Sequence, residues 1–444
     1  MKPLKPAFLR LFRKLFALVT LASFASSLCV AQSMFRGNAA HTGIYDAYGP
    51  RELKGIKWKF ATGGRVLSSP VADKGVIFFG SYDHNVYAVD AETGVQKWKY
   101  STFGPVASTP AVANGVVFFL SYDGKFYAVD ADRGKTKWKF MTAGDRRFEA
   151  KGLDGVQPQT QTYIDAWDMF QSSPVVAQGM VFFGCGDGNL YALDAETGAL
   201  RWKFATGDVV HASPAYDSGT VYFGSWDSYL YAVDAATGRK KWQFKSGEDQ
   251  LTHNQVGFPG SPAVVNGVVY VGCRDSGFYA IDAATGTQKW KFDNKGSWVV
   301  VSPAVVDGKV LFGTSDSSLL HLLDGATAKP AFELKVTAFD FSSPAVAGDV
   351  AYFGLMNGTF VAVDLKTGKQ LWEFQTEVSR ENRGFYLNAD KSLNSMMLFP
   401  NSSFEENALQ LERLFTIGSI ASSPLVMNGT VYFGSADGYV YALE

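Results

Sequence analysis

Short apolar runs broken by turn residues recur along almost the whole chain. In one stretch, residues 107–113, 116–121, 125–131 and 136–140 form four runs of strand length, parted by Asn114-Gly115, Asp123-Gly124 and Arg133-Gly134. An Asn-Gly pair supplies the positive φ of a tight hairpin, and Val, Phe and Tyr fill the runs, so the pattern predicts four antiparallel strands. The unit reads Ser-Pro, a few apolar residues, a Gly turn, Phe-Gly-Ser-x-Asp, Tyr-Ala-x-Asp-Ala-x-Thr-Gly and Trp-x-Phe. Its anchors are Pro70, Pro110, Pro174, Pro214, Pro262, Pro303, Pro344 and Pro424. The undisturbed spacing, Pro70 to Pro110, is 40 residues, the period of propeller blades or solenoid coils.

The ends of the repeat decide between those two. The last copy stops at Tyr441-Ala442-Leu443-Glu444, before a fourth strand, while residues 55–60 are a fourth strand without the other three. Pairing them completes an eighth blade and closes a ring, which hides the edges an open sheet exposes. The expected fold is all-β: an eight-bladed β-propeller over residues 55–444, its N-terminal strand closing the last blade.

Most conspicuous residues belong to the repeat. Asp90, Asp130, Asp194, Asp234, Asp282, Asp324 and Asp364 share one position, where a carboxylate accepts hydrogen bonds from the N–H groups of the next turn. Gly94, Gly134, Gly198, Gly238, Gly286 and Gly368 follow, in left-handed conformation. Trp58, Trp98, Trp138, Trp202, Trp242, Trp290 and Trp372 are expected to pack between blades, each indole N–H on a backbone carbonyl. The sixth copy departs, with Thr327-Ala328 for Thr-Gly and Phe332 for Trp. Seven equivalent carboxylates describe architecture, not catalysis.

The first residues change the charge and the compartment. Lys2, Lys5, Arg10, Arg13 and Lys14 precede an apolar run from Leu15 to Leu28, and Cys29 and Ala31 flank a small-residue site. This reads as a signal peptide over residues 1–31, cut before Gln32, followed by a leader segment over 32–54; bulky Leu28 argues against acylation of Cys29. Loss of five basic residues from 41 leaves 36 against 42 acidic ones, a net charge of −6. Such a protein is poorly matched to nucleic acid or anionic lipid. Cys185 and Cys273 stand where other copies carry Ser or Thr, on blades a quarter turn apart, about 17 Å from the strand spacing, too far for a disulfide.

The run Ala88-Val89-Asp90-Ala91-Glu92-Thr93-Gly94, with Trp98 four positions on, resembles the tryptophan-docking motif of quinoprotein alcohol dehydrogenases. The motif is shared with outer-membrane assembly lipoproteins of the BamB type and with PQQ-binding-like β-propeller repeat proteins. The leader from Met34 to Gly43 is similar to the segment that opens many of the last group. The resemblance covers residues 55–444 and implies the fold. The dehydrogenases would bring pyrroloquinoline quinone beneath two adjacent cysteines, with calcium and a catalytic Asp. This chain has no adjacent cysteine pair, so no quinone, calcium or catalytic role transfers to any residue, and no cofactor or metal is expected.

Function is expected in three interruptions of the repeat, 145–168, 248–257 and 376–418, each between a fourth strand and the next first strand and therefore on one face. The first holds Arg146, Arg147, Gln157, Gln159, Gln161, Asp165, Trp167 and Asp168. The third predicts a helix, with Ser403 and Glu406 as capping box and Phe404, Ala408, Leu411 and Phe415 along one side. Around the axis of that face lie Arg65, Gln171, His211, Trp298 and Phe341, and His211 with Gln171 is a candidate pocket lining. The expected role is a non-catalytic binding or scaffolding module of the cell envelope, periplasmic or secreted, for a protein, peptide or glycan. A quinone-dependent dehydrogenase is the alternative.

Overall fold

A computed structural model describes residues 33–153, 158–248, 257–398, 400 and 403–444, without the side chains of residues 404, 405, 407 and 408. The signal-peptide reading, most of the 248–257 interruption with His253, Gln157, and the facing of Phe404 and Ala408 lie outside the described residues.

Eight four-stranded antiparallel sheets follow one another along the chain, one per Pro anchor. Blade two consists of Ala111–Ala113, Val116–Ser121, Lys125–Asp130 and Thr136–Met141. Its innermost strand is shorter than the predicted 107–113. Pro110 has no N–H to give, and the N–H groups before it are spent on the next blade: those of Ala107 and Ser108 go to Gln171 Oε1 (2.9 and 3.2 Å) and that of Thr109 to Ser173 Oγ (3.0 Å).

The bond from Thr109 belongs to a belt around the axis. At seven anchors the N–H of the residue before the proline donates to the hydroxyl at the same position one blade on: besides Thr109 to Ser173, these include Ser69 to Thr109 (3.0 Å), Ser173 to Ser213 (2.9 Å), Ser213 to Ser261 (2.8 Å), Ser302 to Ser343 (2.9 Å) and Ser343 to Ser423 (3.3 Å). Ser423 donates to Ser69 at 2.9 Å, which joins the last copy to the first.

Closure is as the sequence predicts. Ile56–Ala61 pairs antiparallel with Tyr439–Leu443, Trp58 opposite Ala442 and Lys59 opposite Tyr441.

Between blades the repeat residues act together. Asp90 Oδ1 accepts from the N–H groups of Glu92 (3.2 Å) and Thr93 (3.0 Å). The turn so fixed places Gly94 at φ +71°, directly beneath the Trp58 ring of the preceding blade, and a Cβ there would lie 2.9 Å from the indole. The Trp58 N–H donates to Ala91 O at 3.0 Å, and Trp98, Trp138, Trp202, Trp242 and Trp290 do likewise to the next blade. Trp372 faces blade eight, which has no such turn, and donates instead to Pro50 O of the leader at 2.8 Å.

That leader crosses one mouth of the axial channel. Backbone bonds join it to blades two, four, five, six and seven, through Val112, Tyr216, Val264, Val305 and Val346. Ile44–Tyr45 adds a parallel strand to blade seven. Arg36 is buried on the axis and donates to the carbonyls of Ser343 (2.9 Å), Pro303 (3.1 Å) and Pro344 (2.5 Å). Burial lowers its pKa to about 10.

The first interruption forms a hairpin that the sequence reading did not foresee, Glu149–Lys151 with Thr162–Ile164. The third contains α1 (Glu377–Glu381), α2 (Ser395–Leu398) and α3 (Phe404–Thr416). Ser403 Oγ accepts from the Glu406 N–H at 3.3 Å as a cap should, but the Glu406 carboxylate pairs with Arg413 at 2.5 Å.

Candidate functional site

The mouth opposite the leader is covered by the first and third interruptions. Their apolar side chains merge: Leu398, Leu411, Leu414 and Phe415 share one buried cluster with Met169 and Phe341, and Trp167, Phe170 and Phe339 pack against it. The Trp167 ring stands edge-on to Phe341, centroids 5.5 Å apart at 90°. Arg65 ties α3 down, its guanidinium 4.5 Å from the Phe415 ring and paired with Glu412. Arg146 reaches outward to Asp208 at 2.7 Å.

His211 and Gln171 do come together, and Asp145 is what joins them. His211 Nδ1 lies 2.7 Å from Asp168 Oδ1 and Nε2 lies 3.3 Å from Asp145 Oδ1. Gln171 Nε2 donates to Asp145 Oδ2 at 2.5 Å. All four side chains are buried. Burial depresses the His211 pKa, yet the Asp168 and Asp145 carboxylates outweigh it and push it up to about 10. Burial likewise opposes ionisation of Asp145, and the bond from His211 reverses this, holding its carboxyl below the usual range. A cationic imidazole thus clasps both ends of the first interruption. With the belt hydroxyls and Phe35, His211 and Gln171 line the axial space. That space is about 40 Å³, room for a few waters.

Beside the axis lies a second group, which the sequence reading identified only in part. Trp226, Arg274 and Trp298 form a slot whose guanidinium is 4.9 Å from the Trp226 ring and 3.8 Å from that of Trp298. Phe148 stacks on Trp226, centroids 4.5 Å apart and planes 11° apart. The Asp165 carboxylate pairs with Arg274, both buried. Trp226 and Arg274 occupy the x of Gly-Ser-x-Asp, filled elsewhere by Tyr82, Tyr122, Gly186, Ser315, Met356 and Ala436. Free variation at one position of a strict repeat was the available signal.

Cys185 and Cys273 are free and buried, each thiol on a backbone carbonyl at 3.2 Å, that of Gly144 and of Gly257, as Ser435 Oγ is on Gly418 O at 3.0 Å. Burial raises both thiol pKa values. Among the described residues no group of three or more His, Cys, Asp or Glu is placed to hold a metal ion, and no helix is long and apolar enough to cross a membrane.

Fold and face define an eight-bladed propeller of tryptophan-docked repeats, strapped on one mouth and capped on the other. The family profile described as outer membrane protein assembly factor BamB matches residues 51–153, 156–291 and 274–444, and the chain belongs to that family. No curated relative matches it in sequence. Among solved structures, BamB from Moraxella catarrhalis is similar with a TM-score of 0.64 at 16% identity, over 88% of this chain and 99% of that one. A europium-containing methanol dehydrogenase is similar with a TM-score of 0.69 at 16% identity, over 94% and 98%. The quinohemoprotein alcohol dehydrogenase of Comamonas testosteroni gives 0.66 at 14% identity, over 93% and 80%. Likeness at such identity shows the fold.

The dehydrogenase fold raises the question of a planar, anionic quinone. A flat aromatic wall beside a cation is what such a group requires, and the Trp226–Arg274–Trp298 slot supplies both. Its wall is already covered by Phe148, its cation is neutralised by Asp165, and the space left beside them is about 10 Å³. The residues as arranged do not fit the group.

Proposed function

We propose that this chain is an exported, non-catalytic propeller that serves as a binding or scaffolding module in the cell envelope, holding a protein, peptide or glycan on the face formed by its interruptions. The observation that carries this reading is the filled axis: the leader closes one mouth, the interruptions close the other, and about 40 Å³ remains between. Among the described residues the axis offers no room for a deep pocket, whereas a rigid disc with a built-up face suits surface recognition. Membership of a family named for outer-membrane assembly and the export signal read at residues 1–31 point to the same compartment. Of the candidate face residues, Arg65, Arg146, Trp167 and Trp298 keep exposed area for a partner, whereas Asp168, Gln171, His211 and Phe341 are buried.

Crosslinking in envelope extracts tests it, with the intact chain beside variants whose first or third interruption is replaced by a short turn. Partners captured by the intact chain and lost from the variants support the reading; partners retained by both variants rule out this face. In parallel, a thermal shift with pyrroloquinoline quinone and calcium, accompanied by dye-linked alcohol oxidation, would overturn the non-catalytic assignment.

A further inference from the structure

The Trp226 slot contains the elements of a ligand site, and the chain fills it from its own first interruption. Phe148 lies face to face on Trp226, as a bound planar ring would. Asp165 pairs with Arg274, as a ligand carboxylate would. Both groups come from one hairpin, whose register makes the Asp165 N–H donate to Phe148 O at 2.9 Å. Arg274 is only 1% exposed, and a buried guanidinium demands an anion. The Trp226 indole N–H is buried and meets no acceptor among the described residues, so the slot offers a donor that Phe148 does not use.

The hairpin is also anchored where a lid would be. Phe148 N–H donates to Asp168 Oδ2 at 2.6 Å, and Arg147 holds Asp168 O at 2.9 Å and Asp165 O at 2.7 Å. His211 then grips Asp168 and Asp145, at the two ends of the interruption.

We propose that Phe148 and Asp165 are a built-in occupant of an aromatic–cationic slot, standing in for the ring and the carboxylate of a planar aromatic acid and keeping such molecules out. The inference concerns why this propeller's slot is closed and is independent of which partner the face holds. Its failure would leave the scaffold reading to the crosslinking result.

Tryptophan fluorescence titrated with 2-naphthoate, and separately with pyrroloquinoline quinone alone, tests the proposal. The unaltered chain should show no saturable quenching. The Phe148→Ala, Asp165→Asn variant should bind 2-naphthoate at least tenfold more tightly, and the added change Trp298→Ala should weaken that binding. Equal quenching of the unaltered chain and the double variant overturns the proposal, as does a double variant that melts like the unaltered chain and binds neither probe. Should the double variant not fold, Phe148→Ala alone keeps the Asp165–Arg274 pair; it should then take up neutral indole, and a folded single variant that does not bind indole overturns the proposal equally.

Discussion

The imidazole of His211 is buried between two carboxylates, and attraction to Asp168 and Asp145 exceeds the penalty of burial. Its folded-state pKa of about 10 lies above the ordinary 6.5, so the charged form stabilises the fold fully below about pH 6.5 and this stabilisation is lost as pH rises through about 10. Replacing His211 with Asn should cost about 3 kcal/mol at neutral pH, as breaking a buried pair does. It should also flatten the decline of melting temperature between neutral and alkaline pH. Parallel declines in both proteins would show that His211 is no clasp. Asp340 is the opposite case. It takes the place of Val66, Val106, Val210, Val299 and Ile420 in other copies, is buried against Gly313, and accepts one bond, from the Ser342 N–H at 3.2 Å. Burial raises its pKa well above the carboxylate range. Asp340→Val should therefore stabilise the protein by about 1–3 kcal/mol at neutral pH. The gain should shrink in acid, where the carboxyl is protonated in both the folded and the unfolded chain, and denaturant melts at the two pH values measure it. The odd acid was visible in the aligned copies; the depth of its burial was not.

Among elements, the docked tryptophan explains why some repeat positions tolerate no change. At Gly134 the backbone holds φ +63° and a Cβ would stand 2.8 Å from the Trp98 ring, so strain and collision add. Gly134→Ala should cost about 2–3 kcal/mol in chemical unfolding. Ala328 already bears a Cβ at the equivalent place, at φ +58°, and Ala328→Gly should stabilise by about 1 kcal/mol through relief of the left-handed strain. Loss of stability on Ala328→Gly would mean that the sixth blade has adapted to its methyl group. These elements were legible because each statement is made six or seven times along the chain: Asp, Gly and Trp recur in step, and a recurrent position announces its own geometry. The slot was not legible in the same way. Phe148 and Asp165 are each written once, in a segment of no repeat, and their partners Trp226 and Arg274 belong to two later blades. Only the circular arrangement brings four such residues together. The hairpin at Glu149–Lys151 escaped notice for a related reason, since its three-residue strands carry no alternation longer than Glu-Ala-Lys.

At the scale of the whole molecule, the chain is held in a ring by lending its first strand to its last blade. Five residue pairs join Ile56–Ala61 to Tyr439–Leu443, and the segment after Ala61 runs straight into blade one. Blades eight and one therefore cannot part unless that ladder is stripped and the blade faces, with Trp58 seated on Gly94, separate together. A permuted chain tests this division of labour. Glu444 N–H donates to Gly55 O at 3.1 Å and Gly55 N–H to Glu444 O at 3.1 Å, so a tight turn can join them, and the new chain then starts at Thr62 and ends at Ala61. Every blade becomes a local four-stranded sheet, and the seam between blades eight and one keeps its face packing, the Ser423–Ser69 bond, the bonds of Trp58 and Tyr432 to Ala91 O and the Lys57–Glu92 pair, with no covalent link across it. Against a 55–444 chain that likewise lacks the leader, the permuted protein should retain its β-sheet circular dichroism. It should open at the seam more readily by the worth of the ladder, about 3–5 kcal/mol at roughly 1 kcal/mol per net hydrogen bond. Amide exchange reports this directly: Thr430–Gly434 and Val76–Gly80 should exchange faster in the permuted chain while Thr220–Gly224, on the far side of the ring, is unchanged. Equal exchange at all three strands would mean that face packing alone closes the ring and that the lent strand does no more than fill the last blade.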